Sequence, residues 1–149
     1  MILLDTNILA RTIQAGHVHQ KPALDAIQHL YRDGHEAFSI SPQVLVEFYH
    51  VATRSTNALV LTPAQAITEI SKIKSNFMLL PELPDMFPAW ESLVGKYAPT
   101  NRTVYDLRHV AFMLVHRIPK LLAFNDKDFV HCNEIQTLNP FDVLQLPRV

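Results

Sequence analysis

The chain has 149 residues, of which 48% are hydrophobic and 18% are charged, and its formal net charge is −1. This length fits one domain that buries a sizeable core, and the composition excludes intrinsic disorder. The near-zero charge excludes a global attraction to nucleic acid or to acidic membranes, so any polyanion must be bound by a local basic patch.

Cysteine content and hydropathy restrict the cellular setting. Cys132 is the only cysteine, which excludes an internal disulfide framework and fits a reducing cytoplasm. The longest dense apolar run, at 110–115, is far too short to span a bilayer, and the N-terminus shows no basic leader followed by an apolar stretch. We therefore expect a soluble, cytoplasmic protein without a membrane partner.

Apolar runs and helix-start signals predict alternating strands and helices. In chain order they are a strand at 1–4, a helix through Ile13, a helix from Pro22 to Asp33-Gly34, a strand at 37–40, a helix from Ser41-Pro42 to near Thr53, a helix from Thr62-Pro63, a strand at 77–80, helices at 84–97 and 103–117, a strand at 121–124 and a possible edge strand at 135–138. This alternation predicts an α/β fold with a central, mainly parallel sheet of four to five strands and helices on both faces. We expect residues 1–149 to form this single domain.

Two helix starts carry specific capping signals. Ser41 precedes a proline at the first helical position, and Thr62 precedes both a proline and Gln65 in a capping-box arrangement. Such residues satisfy the free backbone N–H groups of the first helical turn. These two boundaries are therefore predicted by mechanism as well as by periodicity.

Four carboxylates stand beside predicted core segments: Asp5, Glu47, Asp106 and Asp126. Charged side chains are almost never buried unless they are paired or bind metal. Asp5 and Asp126 follow predicted strands, and sites in parallel sheets form outside the carboxyl ends of the strands. If the fold brings the four together, a divalent cation is the natural counter-charge.

Each acid also has an ordinary structural interpretation. Asp5 is suited to cap the following helix, and Glu47 shares an apolar helix stripe where it lies either at the rim of the core or in a functional site. Asp106 follows Thr103 in a capping-box pattern, and Asp126 and Asp128 lie in a polar turn where acids are common. No single acid establishes a site.

Other chemistries lack their motifs. His17-x-His19 does not have the spacing of a helical zinc motif, and the three glycines form no phosphate-binding loop. No Gly-x-Ser-x-Gly segment is present. The acids remain the most informative polar residues.

Four segments together resemble the motifs of the PIN-domain ribonucleases, and specifically of VapC-type toxins from bacterial toxin–antitoxin pairs. They lie at 3–9, 41–48, 104–111 and 121–129 and carry Asp5, Glu47, Asp106 and Asp126 respectively. The departures are small: Leu107 and Ala123 replace a usual alanine and a common threonine, and Asn101 stands where a glycine often does. Asparagine tolerates left-handed backbone conformations.

The resemblance implies a three-layer PIN-like domain and a metal-dependent endoribonuclease. Asp5, Glu47 and Asp106 would be the main ligands of Mg²⁺ or Mn²⁺, with Asp126 as a further ligand. Thr6, Asn7 and Asn125 would orient these acids or a water, and Asp128 competes for the fourth position. Such an ion would activate water for attack on an RNA phosphodiester.

The resemblance also implies partners: an RNA substrate such as tRNA or rRNA, a cognate antitoxin and a second copy of the chain in a homodimer. The basic residues expected to hold phosphates are Arg11, Arg54, Arg102, Arg108 and Lys127. Two alternatives remain: a PIN-fold binding module with weak or no catalysis, and a haloacid-dehalogenase-like phosphatase. The phosphatase motif needs a second aspartate where this chain has Asn7.

Overall fold

The computed structural model describes residues 1–56 and 59–148. The helices and strands of these residues, in chain order, are β1 (Ile2–Leu4), α1 (Thr6–Ile13), α2 (Gln20–Arg32), β2 (Phe38–Ile40), α3 (Pro42–Thr53), α4 (Pro63–Asn76), β3 (Met78–Leu79), α5 (Met86–Tyr97), α6 (Thr103–Val115), β4 (Lys120–Leu122), a 3-10 helix (Asp126–Phe129), β5 (Gln136–Leu138) and α7 (Pro140–Val143). Every predicted helix and strand is present, with ends shifted by a few residues. The short helix α7 and the 3-10 helix were not predicted.

The five strands form one sheet in the order β3-β2-β1-β4-β5, and all four pairings are parallel. The chain builds outward from β1 to β2 and β3 and then crosses to the other side of β1 to add β4. The strand order therefore reverses between β1 and β4, which is where ligands bind in open α/β sheets. The predicted fold class is confirmed.

The alternating side chains of β1 separate two apolar cores. Ile2 and Leu4 pack with residues of α1, α3 and α4 on one face of the sheet, whereas Leu3 packs with α5 and α6 on the other. All three are fully buried, because successive side chains of a strand point to opposite faces and both faces are covered. The result is three layers with β1 at the centre.

The predicted capping signals are confirmed in two helices. Ser41 Oγ accepts from Val44 N at 3.1 Å, and Thr62 and Gln65 form the reciprocal capping box. The capping-box interpretation of Asp106 is wrong, because α6 begins at Thr103 after Arg102, whose side chain makes no capping hydrogen bond. Asp106 lies in the first turn of α6, and its carboxylate is left for other contacts.

Three further expectations have outcomes in the structure. Asn101 has φ +54°, as expected for a residue in place of glycine. Cys132 is buried, and burial raises the pKa of its thiol to about 11, so it is not a reactive thiolate at neutral pH. In the part of the chain that the structure describes, no helix is both long and apolar enough to cross a bilayer.

Candidate metal centre

Asp5 occupies the carboxyl end of the central strand and also begins helix α1. Its backbone N–H donates to Leu122 O at 3.1 Å, which ties it to β4. Its carboxylate accepts from Thr6 N and from Asn7 Nδ2, both at 2.7 Å. Asp5 is only 6% exposed, so the helix-capping interpretation is correct and does not exclude a second role.

Glu47 reaches the same point from α3. Its Oε2 accepts from Thr6 Oγ1 at 3.0 Å, and its Oε1 accepts from Gln43 Nε2 at 2.7 Å. Val44 and Phe48, which flank it on the apolar stripe of α3, are fully buried. The stripe therefore fixes the helix against the core and carries the carboxylate to the end of β1.

His109 was not among the predicted site residues, yet it lies at the centre of the cluster. Its Nε2 is 3.3 Å from Glu47 Oε1 and the residue is 4% exposed. Its Nδ1 has no hydrogen-bond partner among the described residues. The signal in the sequence was its place three residues after Asp106, which puts both side chains on one side of α6.

Gln43 was also missed, and it connects Glu47 to a basic side chain. Its Oε1 accepts from Arg108 at 2.8 Å, and Arg108 also pairs with Glu82 at 2.6 Å. Arg108 therefore supports the orientation of Gln43, and through it that of Glu47. The expectation that Arg108 is available for phosphate does not match these contacts.

Asp106 approaches the cluster from α6, and the 3-10 helix lies beside it. Burial raises the pKa of Asp106, and the negative charge of Asp128 raises it further. Asn125 links Asn7 to Asp128: its Oδ1 accepts from Asn7 Nδ2, and its Nδ2 donates to Asp128 Oδ2 at 2.7 Å. Asn125 therefore lines the cleft where the fourth acid was expected, and Asp128, from the neighbouring pocket, acts on Asp106 through its charge.

Asp126 is not brought to the cluster. Its Oδ1 accepts from Asn139 Nδ2 at 2.8 Å, and its carboxylate pairs with Arg148 at 3.4 Å. It lines a separate pocket with these two residues. Because Asp126 opens a 3-10 helix, its side chain diverges from that of Asn125, and the placement of Asp126 with the other three acids is a misprediction.

The cluster opens into a cleft of about 620 Å³. Arg11, Arg54 and Arg102 line this cleft, as predicted for residues that meet a polyanion. Lys127 instead lines the pocket that contains Asp126. Three of the five predicted basic residues therefore surround the acids.

Electrostatics separate the two central carboxylates. Burial raises the pKa of Asp5 to about 6, despite the opposing charge of His109 and the hydrogen bond from Thr6. Burial also acts to raise the pKa of Glu47, but the hydrogen bonds from His109, Gln43 and Thr6 and the charge of His109 outweigh it and lower that pKa to about 2. The site therefore holds one strongly ionised acid and one acid that burial disfavours in its charged form.

The pKa of His109 is raised, although burial acts against this shift. Burial alone would lower the pKa of its imidazole, but the hydrogen bond to Glu47 and the charges of Asp5, Glu47 and Asp106 together raise it. An imidazolium at this position supplies part of the positive charge that the acids require. A protonated His109 and a bound cation thus serve the same electrostatic need.

The donor set fits a divalent cation. Asp5, Glu47 and His109 each offer a ligand atom, and these atoms lie within 4.8 Å of one another. Carboxylate oxygens suit both Mg²⁺ and Mn²⁺, and an imidazole nitrogen suits Mn²⁺ better than Mg²⁺. Asp5 is buried, and burial disfavours its charged form, so a cation beside it would stabilise the carboxylate.

Comparisons with known proteins agree with the fold. A family model for the PIN domain matches residues 2–134, whereas no curated protein sequence matches the chain. Similar solved structures include a toxin–antitoxin complex from Klebsiella pneumoniae, 20% identical with a TM-score of 0.64, covering 94% of this chain and 98% of that chain. VapC20 of Mycobacterium tuberculosis, described as a toxin that cleaves the sarcin-ricin loop, is 19% identical with a TM-score of 0.64, covering 89% and 95%.

A third similar structure is VapBC2 of Rickettsia felis bound to a DNA fragment from its promoter, 16% identical with a TM-score of 0.69, covering 93% of this chain and 98% of that chain. At these identities the structural matches show a shared fold. The family match includes all four motif segments, at 3–9, 41–48, 104–111 and 121–129. The chain therefore belongs to the PIN domain family.

Proposed function

We propose that this protein is a metal-dependent endoribonuclease and the toxin of a toxin–antitoxin pair. The observation that carries the proposal is that Asp5, Glu47 and Asp106 line one cleft of a PIN domain, at the carboxyl end of its central strand. Similar folds occur in a sarcin-ricin-loop-cleaving toxin and in toxin–antitoxin complexes, which supports an RNA substrate and an antitoxin partner. A homodimer and a tRNA or rRNA target belong to the same proposal.

The metal would be Mg²⁺ or Mn²⁺, held by Asp5, Glu47 and Asp106. Bound there, it would lower the pKa of a coordinated water and neutralise charge that develops on the phosphate. Thr6 and Gln43 hold the Glu47 carboxylate in a fixed direction, and Asn7 does so for Asp5. Without the ion, His109 would hold a proton at Nε2 against Glu47. Arginines of the cleft rim would meet the RNA phosphates.

The alternative of a PIN-fold binding module predicts no cation requirement. A domain without catalysis need not keep a buried aspartate whose charged form is disfavoured. The phosphatase alternative would need a second carboxylate at position 7, where Asn7 instead donates to Asp5. The family match favours the nuclease over the phosphatase.

Mn²⁺ binding tests the proposal directly. We expect isothermal titration calorimetry to show Mn²⁺ binding by the unaltered protein and a loss of affinity of more than about 100-fold in Glu47→Gln, because removal of a second-sphere partner alone typically costs about 10- to 100-fold. Glu134→Gln is the control, since Glu134 pairs with Lys96 and Tyr97 outside the cleft. Equal Mn²⁺ affinity in all three proteins would contradict the metal site.

The fourth position is tested by a matched pair of substitutions. Asp128→Asn is expected to weaken Mn²⁺ binding about 10-fold, because Asp128 acts on the ligand Asp106 and accepts from Asn125. Asp126→Asn is expected to leave Mn²⁺ affinity unchanged, because its carboxylate contacts Asn139 and Arg148 instead. The reverse order of effects in calorimetry would restore Asp126 to the site.

Salt dependence tests the basic rim of the cleft. For single-stranded RNA, each lost phosphate contact should reduce the slope of log affinity against log salt by about 0.7. Arg54→Gln and Arg102→Gln are expected to reduce the slope in a filter-binding assay, because both exposed side chains line the cleft. Arg108→Gln is the control with an unchanged slope, since Arg108 is held by Glu82 and Gln43. Unchanged slopes for Arg54→Gln and Arg102→Gln would remove them from the RNA path.

A further inference from the structure

A second pocket of about 350 Å³ lies beside the acidic cleft, at the carboxyl ends of β4 and β5. The two share Asn125 as a common wall. Three rings also line the pocket: those of His19, Phe124 and Phe141. No step of the proposed hydrolysis uses these rings. Because the pocket adjoins the cleft at Asn125, an RNA strand bound at the acids would pass beside it.

The rings form an ordered stack rather than a loose apolar wall. The imidazole of His19 stacks on Phe124 with 4.6 Å between centroids and 19° between planes. Phe141 meets the His19 ring edge-on at 5.4 Å and 74°. Phe124 and His19 are each partly exposed, and Phe141 is 5% exposed. Phe141 therefore anchors the stack while the other two rings border the open pocket.

Backbone contacts tie this stack to the acidic cluster. Phe124 N donates to Asn7 Oδ1 at 3.1 Å, and Asn7 Nδ2 donates to the Asp5 carboxylate at 2.7 Å. On the other side, Asn139 Nδ2 donates to Phe124 O at 3.0 Å. The backbone of Phe124 is thus fixed relative to Asp5 by hydrogen bonds, and the stacking contact with His19 holds its ring, as a preorganised binding surface requires.

The charges of the pocket discriminate between parts of a nucleotide. Asp126 and Asp128 lie in its wall and would repel a phosphate held inside. Lys127 and Arg148 also line it. Arg148 pairs with Asp126 and Asp142, whereas Lys127 is exposed. The pocket therefore suits an uncharged aromatic heterocycle, with the Lys127 cation near enough for an adjacent phosphate.

We propose that this pocket binds one nucleobase of the RNA strand, stacked on the His19–Phe124 pair, next to the phosphate at the acidic cleft. The inference rests on the proposed function, because it takes single-stranded RNA as the ligand. Stacking of a base on an aromatic side chain is sequence-tolerant and contributes substantially to single-strand binding. The pocket would thus fix the strand in register with Asp5 and Glu47.

The test uses a nine-residue oligouridylate, with binding measured by fluorescence anisotropy in EDTA so that metal-dependent cleavage does not consume the probe. His19→Leu keeps an apolar side chain in the stack, whereas His19→Phe keeps an aromatic ring. We expect His19→Leu to bind about 5- to 100-fold more weakly, the range for loss of one stacked base, and His19→Phe to bind like the unaltered protein. Tyr31→Leu, an exposed ring outside the pocket, is the control with unchanged affinity.

Photo-crosslinking supplies a readout that a packing role of His19 would not affect. With 5-iodouridine in the same oligonucleotide, crosslinks identified by mass spectrometry are expected at His19 or Phe124 of the unaltered protein. Crosslinks confined to other residues, equal affinities of His19→Leu and His19→Phe, or no binding of the probe would each overturn the pocket. RNA cleavage with Mn²⁺ is measured separately, so that failure of the pocket is distinguished from failure of the nuclease.

Discussion

Replacing Asp5 with asparagine is expected to remove RNA cleavage while making the metal-free protein more stable. The activity loss should exceed about 100-fold, because Asp5 is a proposed metal ligand. When residues act as a unit, the substitution of any one of them removes most of the activity. The measurement is the rate of cleavage of total RNA in Mn²⁺ by Asp5→Asn and by the unaltered protein. Asp106→Asn is expected to lose activity to a similar extent.

The gain in stability follows from the environment of the Asp5 carboxylate. A rise of its pKa from 3.8 to about 6 corresponds to about 3 kcal/mol of folding free energy lost at pH 7. An amide carries no such penalty and still accepts from Thr6 N, although its Nδ2 would face that of Asn7. We therefore expect a gain of about 1 to 3 kcal/mol, or about 3 to 8 °C in the unfolding midpoint without metal.

The two effects together distinguish a functional acid from a structural cap. If Asp5 served only to cap α1, its replacement would leave cleavage intact. Glu134→Gln is again a suitable control, because Glu134 pairs with Lys96 and Tyr97 outside the cleft. Undiminished Mn²⁺-dependent cleavage by Asp5→Asn, confirmed against this control, would refute the assignment of the catalytic cluster.

The decline of stability with rising pH is expected to become weaker when Mn²⁺ is added. For Asp5 and His109, whose pKa values are raised in the folded protein, the stabilising contribution is present at low pH and is lost as the pH rises through the folded pKa. For Glu47, whose pKa is lowered to about 2, the contribution is present above its ordinary value of 4.5 and is lost as the pH falls towards 2. Metal-free protein should therefore be most stable at about pH 4 to 4.5, where Glu47 has gained most of its contribution and Asp5 has lost little of its own.

Bound Mn²⁺ adds stability only where its ligands are deprotonated. Its affinity should fall about tenfold for each pH unit below the Asp5 pKa of about 6. At a free concentration 100 times its dissociation constant, the ion adds about 2.7 kcal/mol. In thermal melts, the rise of the midpoint caused by Mn²⁺ should thus be larger at pH 7.5 than at pH 5, and it should offset much of the decline seen in EDTA.

Asp5→Asn is also the matched control for this second prediction. It lacks the acid whose pKa is raised to about 6, so its metal-free stability should decline less between pH 5 and pH 7.5. It should also show little stabilisation by Mn²⁺. A metal-dependent midpoint with the same pH profile in both proteins would mean that another group controls binding.

Local sequence signals predicted the elements of this protein and singled out three acids, Asp5, Glu47 and Asp106, that line one cleft. Short apolar runs predicted the strands, and Ser41 and Thr62 predicted helix starts, because capping depends on residues only a few positions apart. Asp5 was predicted as a site residue because the end of a parallel strand has a fixed place at the edge of the sheet. Glu47 was predicted because a charged residue on an apolar helix stripe is rare.

Tertiary packing decided which polar side chains meet at the candidate site. His109 and Gln43 look ordinary in sequence and gain their roles only where α3 and α6 meet across the end of β1. Asp126 and Asn125 are adjacent in sequence, yet the start of a 3-10 helix directs one to Asn139 and the other to Asn7. The physical reason is that a side chain's direction depends on backbone conformation and on neighbours distant in sequence. The sequence pattern therefore predicted which segments carry acids near the end of the sheet, but not which side chains contact one another.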